Sequence, residues 1–152
     1  VLFLPAFNGL GAPYWNSDIR AGFYGITQDS SVNDMVTACF NSIVFQTKEI
    51  IMILEKYDIE VSSLLVDGGM VQNSTFCKIL ANSIQKVILR PQNVESTAVG
   101  ACIVAMMASG ENLDDIKVSD IDLFKTDAEN IKDYKKNYEE WKSYLSNTMN
   151  SK

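Results

Sequence analysis

An α/β layered domain is the fold class this sequence predicts, and three observations carry it. Short apolar runs ending in glycine or proline alternate with longer stretches of helical period, in the order strand, strand, helix, strand, helix, strand, helix. The 152 residues suit one ordinary domain, and 47% hydrophobic against 21% charged residues provides a core and excludes wholesale disorder. No internal repeat or low-complexity segment interrupts the alternation.

Residues 1–4 are a short apolar run stopped by Pro5, which reads as a strand. In residues 7–17, Asn8, Gly9, Gly11, Pro13 and Asn16 crowd together and mark an ordered loop. Its Phe7, Tyr14 and Trp15 are expected to pack down onto the protein. Residues 19–26 read as a second strand, interrupted by Gly22 and Gly25. Asn33 and Asp34 supply helix-start chemistry, with Ser31 a further cap candidate. Val32, Met35, Val36, Cys39, Phe40, Ile43, Ile50 and Leu54 then recur at helical spacing as far as Tyr57, predicting an amphipathic helix with that stripe inward.

Residues 63–66 form a compact apolar strand, and a helix over residues 73–84 follows with Phe76, Ile79 and Leu80 inward. Another strand, 86–89, ends at Pro91. From Ser96 or Thr97 to Ser109 runs an Ala/Val/Met-rich helix with Gly110 as its C-cap. Its small face, Ala98, Gly100, Ala101 and Ala105, predicts close approach of a neighbouring element. An acidic, irregular connector over 113–121 and an extended piece over 121–125 lead to a last helix, 127–148. There Ile131, Tyr134, Tyr138, Trp141 and Leu145 alternate three and four residues apart, which predicts a docking face.

Composition excludes several function classes. Thirteen Lys and Arg stand against 19 Asp and Glu, a net charge of −6 with no basic tract, the opposite of a nucleic-acid binder. There is no histidine, which removes His-ligated metal sites, Ser-His-Asp triads and Cys-His pairs. No uninterrupted apolar run approaches the roughly 18 residues of a membrane span; residues 43–54 are broken by Gln46, Lys48 and Glu49. Cys39, Cys77 and Cys102 lie far apart without CxxC spacing, and read as small buried hydrophobes in a reducing, cytoplasmic compartment. The Val-Leu-Phe-Leu-Pro start has no signal-peptide character, and its abruptness reads as a piece of a longer protein.

The strongest chemical signal is Leu64-Leu65-Val66-Asp67-Gly68-Gly69 with a helix close behind. Strand, glycine turn and helix start present backbone N–H groups to an anion or nucleotide with no Cβ in the way. In an open α/β sheet, ligands sit at the carboxyl ends of strands, where residues 67–73 would lie. The bland alternative is a tight turn in which Asp67 bonds its own backbone. Neither GxxxxGK[ST] nor a strand-borne GxGxxG occurs, so a nucleotide would be held without a P-loop. Residues 95–101 are a small-residue helix start suited to close packing. Glu95 there invites a general-base reading, against which stands a favourable charge at the helix dipole. Asp18, Asp29, Asp34 and Glu49 form no paired-carboxylate spacing, and no SxxK offers a nucleophile with a lysine base.

Together these segments resemble the FGGY carbohydrate-kinase family, in its glycerol-kinase branch. Residues 5–15, PAFNGLGAPYW, resemble the family's PAF-(T/S)-GLGAPYW segment, with Asn8 departing from the usual hydroxyl residue. Residues 21–41 resemble the second signature through Ala21, Phe23, Gly25, Ile26, Asp34, Met35, Ala38 and Phe40, with Cys39 and Asn41 as departures. Residues 66–73 resemble the adenosine motif, with Met70 in place of Ala, and residues 95–101 the second connecting helix of the actin/hexokinase/Hsp70 superfamily.

The resemblance implies a ribonuclease-H-like (actin-like ATPase) domain, a mixed sheet flanked by helices, with residues 1–152 as a partial C-terminal kinase domain. It implies ATP/ADP with Mg²⁺ in the cleft to the chain's own N-terminal domain. Gly69 would offer its backbone to the nucleotide, Gly68 would let the chain pass close, and Asn73 would contact the adenosine. Thr97 to Ala101 would form an interdomain hinge. The catalytic base, phosphate segments and polyol-binding residues of the family have no counterpart here, so no residue is assigned as catalytic. The metal would be held by the nucleotide and the N-terminal domain. The expected parent activity converts glycerol and ATP to glycerol 3-phosphate and ADP, with this piece alone inactive and a homo-oligomer possible. The alternatives are the same half of another FGGY sugar or polyol kinase, such as a xylulose kinase, or a non-catalytic interaction module that kept the fold.

Overall fold

The structure is a computed structural model that describes residues 1–113, 120–127 and 131–150. Its elements are β1 (Leu2–Leu4), β2 (Gly22–Tyr24), α1 (Val32–Lys56), β3 (Ser63–Leu65), one turn of 3₁₀ helix (Gly69–Gln72), α2 (Ser74–Ile84), β4 (Val87–Pro91), α3 (Ser96–Ala108), β5 (Ile121–Phe124) and α4 (Ile131–Asn150). The expected α/β class and element order hold. The predicted start of the last helix and most of the acidic connector, residues 114–119 and 128–130, lie outside the described residues.

The sheet is in two pieces. β1 and β2 form an antiparallel ribbon, with Phe3 opposite Phe23. β3, β4 and β5 form a mixed sheet: β3 runs parallel to β4, with Leu64 opposite Ile88, and β5 antiparallel to β4, with Arg90 opposite Asp122. The second strand is much shorter than the sequence suggests. Glycine weakens a strand interior, and at Gly25 the chain turns with φ +70°.

α1 begins on a capping box: the Ser31 hydroxyl accepts from the Asp34 N–H, and the Asp34 carboxylate accepts from the Ser31 N–H at 2.8 Å. Those bonds hold the Asp34 carboxyl below its ordinary pKa. Ser31→Ala is expected to lower stability by about 1 kcal/mol in chemical denaturation, with Ser31→Asn costing far less.

The core gathers between α1, α2, α4 and the strands. Leu4, Val44, Phe45, Cys77, Ile88 and Leu145 are fully buried, and Tyr138 and Trp141 of α4 lie among them. The last helix therefore docks along the face its spacing predicts. α2 likewise buries Phe76, Ile79 and Leu80. α1 buries the predicted stripe only in part, with Phe40 and Ile43 half-buried against the core. Val32, Val36 and Ile50 are exposed, while Ala38, Ser42, Val44, Phe45, Glu49 and Ile51 face inward. The inward face carries two polar residues because their bonds are satisfied internally: Ser42 donates to the Cys39 carbonyl at 2.7 Å, and Glu49 pairs with α4. By length and composition alone α1 would suffice to cross a membrane. Here it is the helix on which the core is built, with Lys48 donating to the Ser83 carbonyl at the end of α2.

Two further expectations are corrected. α3 buries none of its residues, so its small face meets no packed neighbour among the described residues. Of the cysteines only Cys77 is buried; Cys39 is half-buried and Cys102 exposed, and all three are free thiols.

Candidate nucleotide site

β3 delivers the chain to the glycine turn at its carboxyl end. The Val66 N–H donates to the Leu89 carbonyl at 2.9 Å, extending the parallel pairing one residue past the strand. Gly68 then takes φ +93°, ψ 172°, a region essentially closed to residues with a Cβ. Its N–H donates to the Val94 carbonyl at 2.9 Å. That bond brings the two candidate segments together, since Val94 precedes α3 in the loop after β4. The turn and the start of α3 thus sit side by side at the same end of two parallel strands.

A Cβ built at Gly68 or Gly69 would meet no atom within 4 Å, so the turn faces open space. The Asp67 side chain is exposed and makes no hydrogen bond to the turn among the described residues, which leaves the tight Asx-turn alternative without its defining bond. Asn73 caps α2: its side-chain oxygen accepts from the Thr75 and Phe76 N–H groups at 2.9 and 3.3 Å. The amide NH₂ of Asn73 takes no part in the cap. Met70 stands exposed on the turn, and Val71 is buried beneath it. An open recess of about 360 Å³ lined by Gln72, Arg90, Gln92, Val94 and Asp122 adjoins the turn.

Arg90 was not a candidate in the sequence. Its Nη1 donates to the carbonyls of Val71 at 2.8 Å and Gln72 at 3.2 Å and to the Ser74 hydroxyl at 3.2 Å. Its Nε and Nη2 donate to one carboxylate oxygen of Asp122 at 3.2 and 2.6 Å. The bonds to Asp122 raise the Arg90 pKa further, while burial pushes the Cys77 thiol up. No signal in the sequence paired residues 32 positions apart; only the β4–β5 register does. Glu95 caps α3 by position without a side-chain bond and is exposed, which suits a charge at the helix dipole.

The family model described as "FGGY family of carbohydrate kinases, C-terminal domain" matches residues 1–109 of this chain. The chain belongs to the FGGY family. Among curated relatives, it is 41% identical over 120 residues to a glycerol kinase of Marinomonas sp. (strain MWYL1), covering 78% of the chain and 24% of the relative. It is 36% identical over 155 residues to a glycerol kinase of Haloferax volcanii, covering 98% of the chain and 30% of the relative. The chain therefore spans about a quarter to a third of the length of these relatives. A solved Plasmodium falciparum glycerol kinase with ADP superposes with a TM-score of 0.74 at 32% identity, over 97% of this chain and 30% of that one. A ligand-bound xylulose kinase from Lactobacillus acidophilus gives a TM-score of 0.80 at 21% identity, over 99% and 31%, which speaks for the fold alone.

The FGGY loop of residues 5–15 folds as an ordered loop but does not pack down as a whole. Leu10 and Asn16 exchange backbone hydrogen bonds at 2.7 and 3.0 Å, and a Cβ at Gly9 would lie 2.4 Å from the Asn16 carbonyl oxygen. Ala6 and Leu10 anchor it in the core, and Tyr14 is half-buried. Phe7 and Trp15 remain 72% and 80% exposed, because those anchors already fix the backbone with both rings turned outward.

Proposed function

We propose that residues 1–152 are the nucleotide-binding C-terminal domain of an ATP-dependent glycerol kinase, the enzyme that transfers a phosphoryl group from ATP to glycerol. The observation that carries the reading is the open glycine turn at the carboxyl end of β3, beside the start of α3, in a chain 36–41% identical to glycerol kinases. In this reading the Gly69 backbone faces the nucleotide, Gly68 provides the close approach, and Asn73 contacts the adenosine. Mg²⁺, when bound, neutralises charge on the phosphates during transfer. Among the described residues no group of three or more Asp, Glu, Cys or His is placed to hold a metal. In this reading the chain binds and orients the nucleotide, and the metal is held mainly by the nucleotide and the N-terminal domain.

The N-terminal domain is also the partner proposed for α3, whose bare face of Ala98, Ala101 and Ala105 suits a helix approaching closely. The parent enzyme is assigned to the cytoplasm, where three free thiols stay reduced, and homo-oligomerisation remains part of the proposal. The chain by itself is expected to turn over no glycerol, because positioning of both substrates requires the other half.

Calorimetry with ADP and Mg²⁺ on the 152-residue chain tests the reading. The wild type is expected to bind weakly and Gly69→Val to lose about tenfold or more, an order set by lost hydrogen bonds to a charged group. A Cβ at position 69 has room, so the variant is expected to keep its fold and melting temperature. Equal binding by both proteins would remove the nucleotide from this turn. A chain that binds no nucleotide, even rejoined to an N-terminal domain, would favour an interaction module using the exposed Phe7 and Trp15.

A further inference from the structure

We propose that Arg90, held by Asp122, is a positioning residue that fixes the shape of the nucleotide turn; this rests on the nucleotide reading of residues 68–73. A single 3₁₀ turn of four residues, entered through two glycines, has little stability of its own. At its two ends the turn is closed locally by the Val71 N–H to the Gly68 carbonyl at 3.2 Å and by the Asn73 N–H to the Met70 carbonyl at 3.2 Å. The turn is further held from outside. At its entry, Gly68 is tied to the Val94 carbonyl. At its exit, the carbonyls of Val71 and Gln72 point away from the local ladder and converge on Arg90 Nη1, with the Ser74 hydroxyl as a third acceptor. Both restraints come from β4 and the loop that follows it.

Arg90 is itself held on its opposite edge. Asp122 lies directly across from it in the β4–β5 register and takes Nε and Nη2, and the guanidinium stands 5.0 Å from the Phe124 ring centroid. Its side chain is 15% exposed. One planar cation thus ties strand β5 to the turn, with its charge balanced by Asp122 and its donors divided between a carboxylate and two backbone carbonyls. A lysine cannot reproduce this, because its ammonium is a point donor that cannot face two directions in a plane. Arg90 acts through the backbone of residues 69–73 and not on the ligand.

The test uses Arg90→Lys and Asp122→Asn in the 152-residue chain, with three readouts: backbone amide exchange without nucleotide, ADP affinity by calorimetry, and thermal midpoint. Arg90→Lys is expected to accelerate exchange at Val71 and Asn73 about tenfold, with core amides of Phe45 and Ile51 unchanged, and to weaken ADP binding by about tenfold. Asp122→Asn is expected to move both in the same direction by less, since the guanidinium keeps its backbone acceptors. Unchanged exchange at Val71 and Asn73 would overturn the proposal. So would acceleration shared equally by the core amides, which marks a general loss of stability. A wild type that fails to bind ADP even when rejoined to an N-terminal domain overturns the nucleotide reading, while the exchange comparison, made without nucleotide, still decides whether Arg90 sets the turn.

Discussion

Glu49→Ala is expected to destabilise the protein by about 1.5–3 kcal/mol, the range for losing hydrogen bonds to a charged group. Glu49 lies on the inward face of α1 and is 9% exposed. It accepts from the Tyr138 hydroxyl and from Lys142 Nζ, the latter at 3.0 Å, so that one carboxylate ties α1 to α4. Lys48 Nζ lies 4.4 Å from the centroid of the Tyr138 ring. Removing the carboxylate takes the charged acceptor from the Tyr138 hydroxyl, leaving it the Met52 sulfur at 3.2 Å and the Lys142 ammonium at 3.3 Å, and places Lys48 and Lys142 around an apolar gap. Glu49→Gln keeps the volume and one acceptor and is expected to cost less.

The pair also fixes a pH dependence. Burial works against the charge of Glu49, but the bonds from Tyr138 and Lys142 outweigh it, and its pKa lies below the ordinary glutamate value. A depressed folded pKa means the contribution is complete above the unfolded value, about 4.3, and fades as pH falls through the lower folded value. Glu49→Gln should therefore flatten the acid limb of stability measured by denaturation from pH 6 down to about 3. An acid limb identical in wild type and variant would mean that the carboxylate carries no net stabilisation. The two tyrosines move the other way: burial first, and then Glu49, raise Tyr14 and Tyr138 well above their ordinary range, so both stay neutral donors.

How much of this was legible depends on the range of the interaction. The Ser31–Asp34 helix start and the stripe of α4 are written within a few residues, and the structure keeps them. The turn at residues 67–69 was visible for the same reason, since a strand ending in Asp-Gly-Gly before a helix is a local pattern. The face of α1 was partly misread because hydrophobicity was the only guide. Burial of Ser42 and Glu49 becomes favourable only once Cys39, Tyr138 and Lys142 supply partners, and two of those lie 89 or more positions away. Arg90 is the same case at the site. Nothing around Pro91 marks its guanidinium until β5 brings Asp122 opposite and the turn brings two carbonyls beneath it. The exposed α3 is the converse: an apolar small-residue helix signals a neighbour, and the described residues do not contain that neighbour.

Trp141→Ala is expected to cost about 3–5 kcal/mol, the range for emptying a large aromatic from a core. Trp141 is 2% exposed, its ring centroid lies 5.7 Å from that of Phe45, and its indole N–H donates to the Phe3 carbonyl at 2.9 Å. The side chain therefore fills the core and also pins β1 to α4. Trp141→Phe separates the two roles: it keeps most of the packing and loses the hydrogen bond, and is expected to cost about 1–3 kcal/mol. Amide exchange should then accelerate in the β1–β2 ribbon before it does in β3–β4. Equal losses from both variants would assign the whole effect to the hydrogen bond, and a silent Trp141→Phe would assign it to volume. The point reaches beyond one side chain, because the family match ends at residue 109. Tyr138, Trp141 and Leu145 lie past that boundary, yet they close the core over Phe3, Phe45 and Glu49. A chain cut after residue 109 would keep the residues of the glycine turn but lose Asp122 on β5 and the helix that holds α1 and β1 in place, so its stability should fall further than any single substitution lowers it.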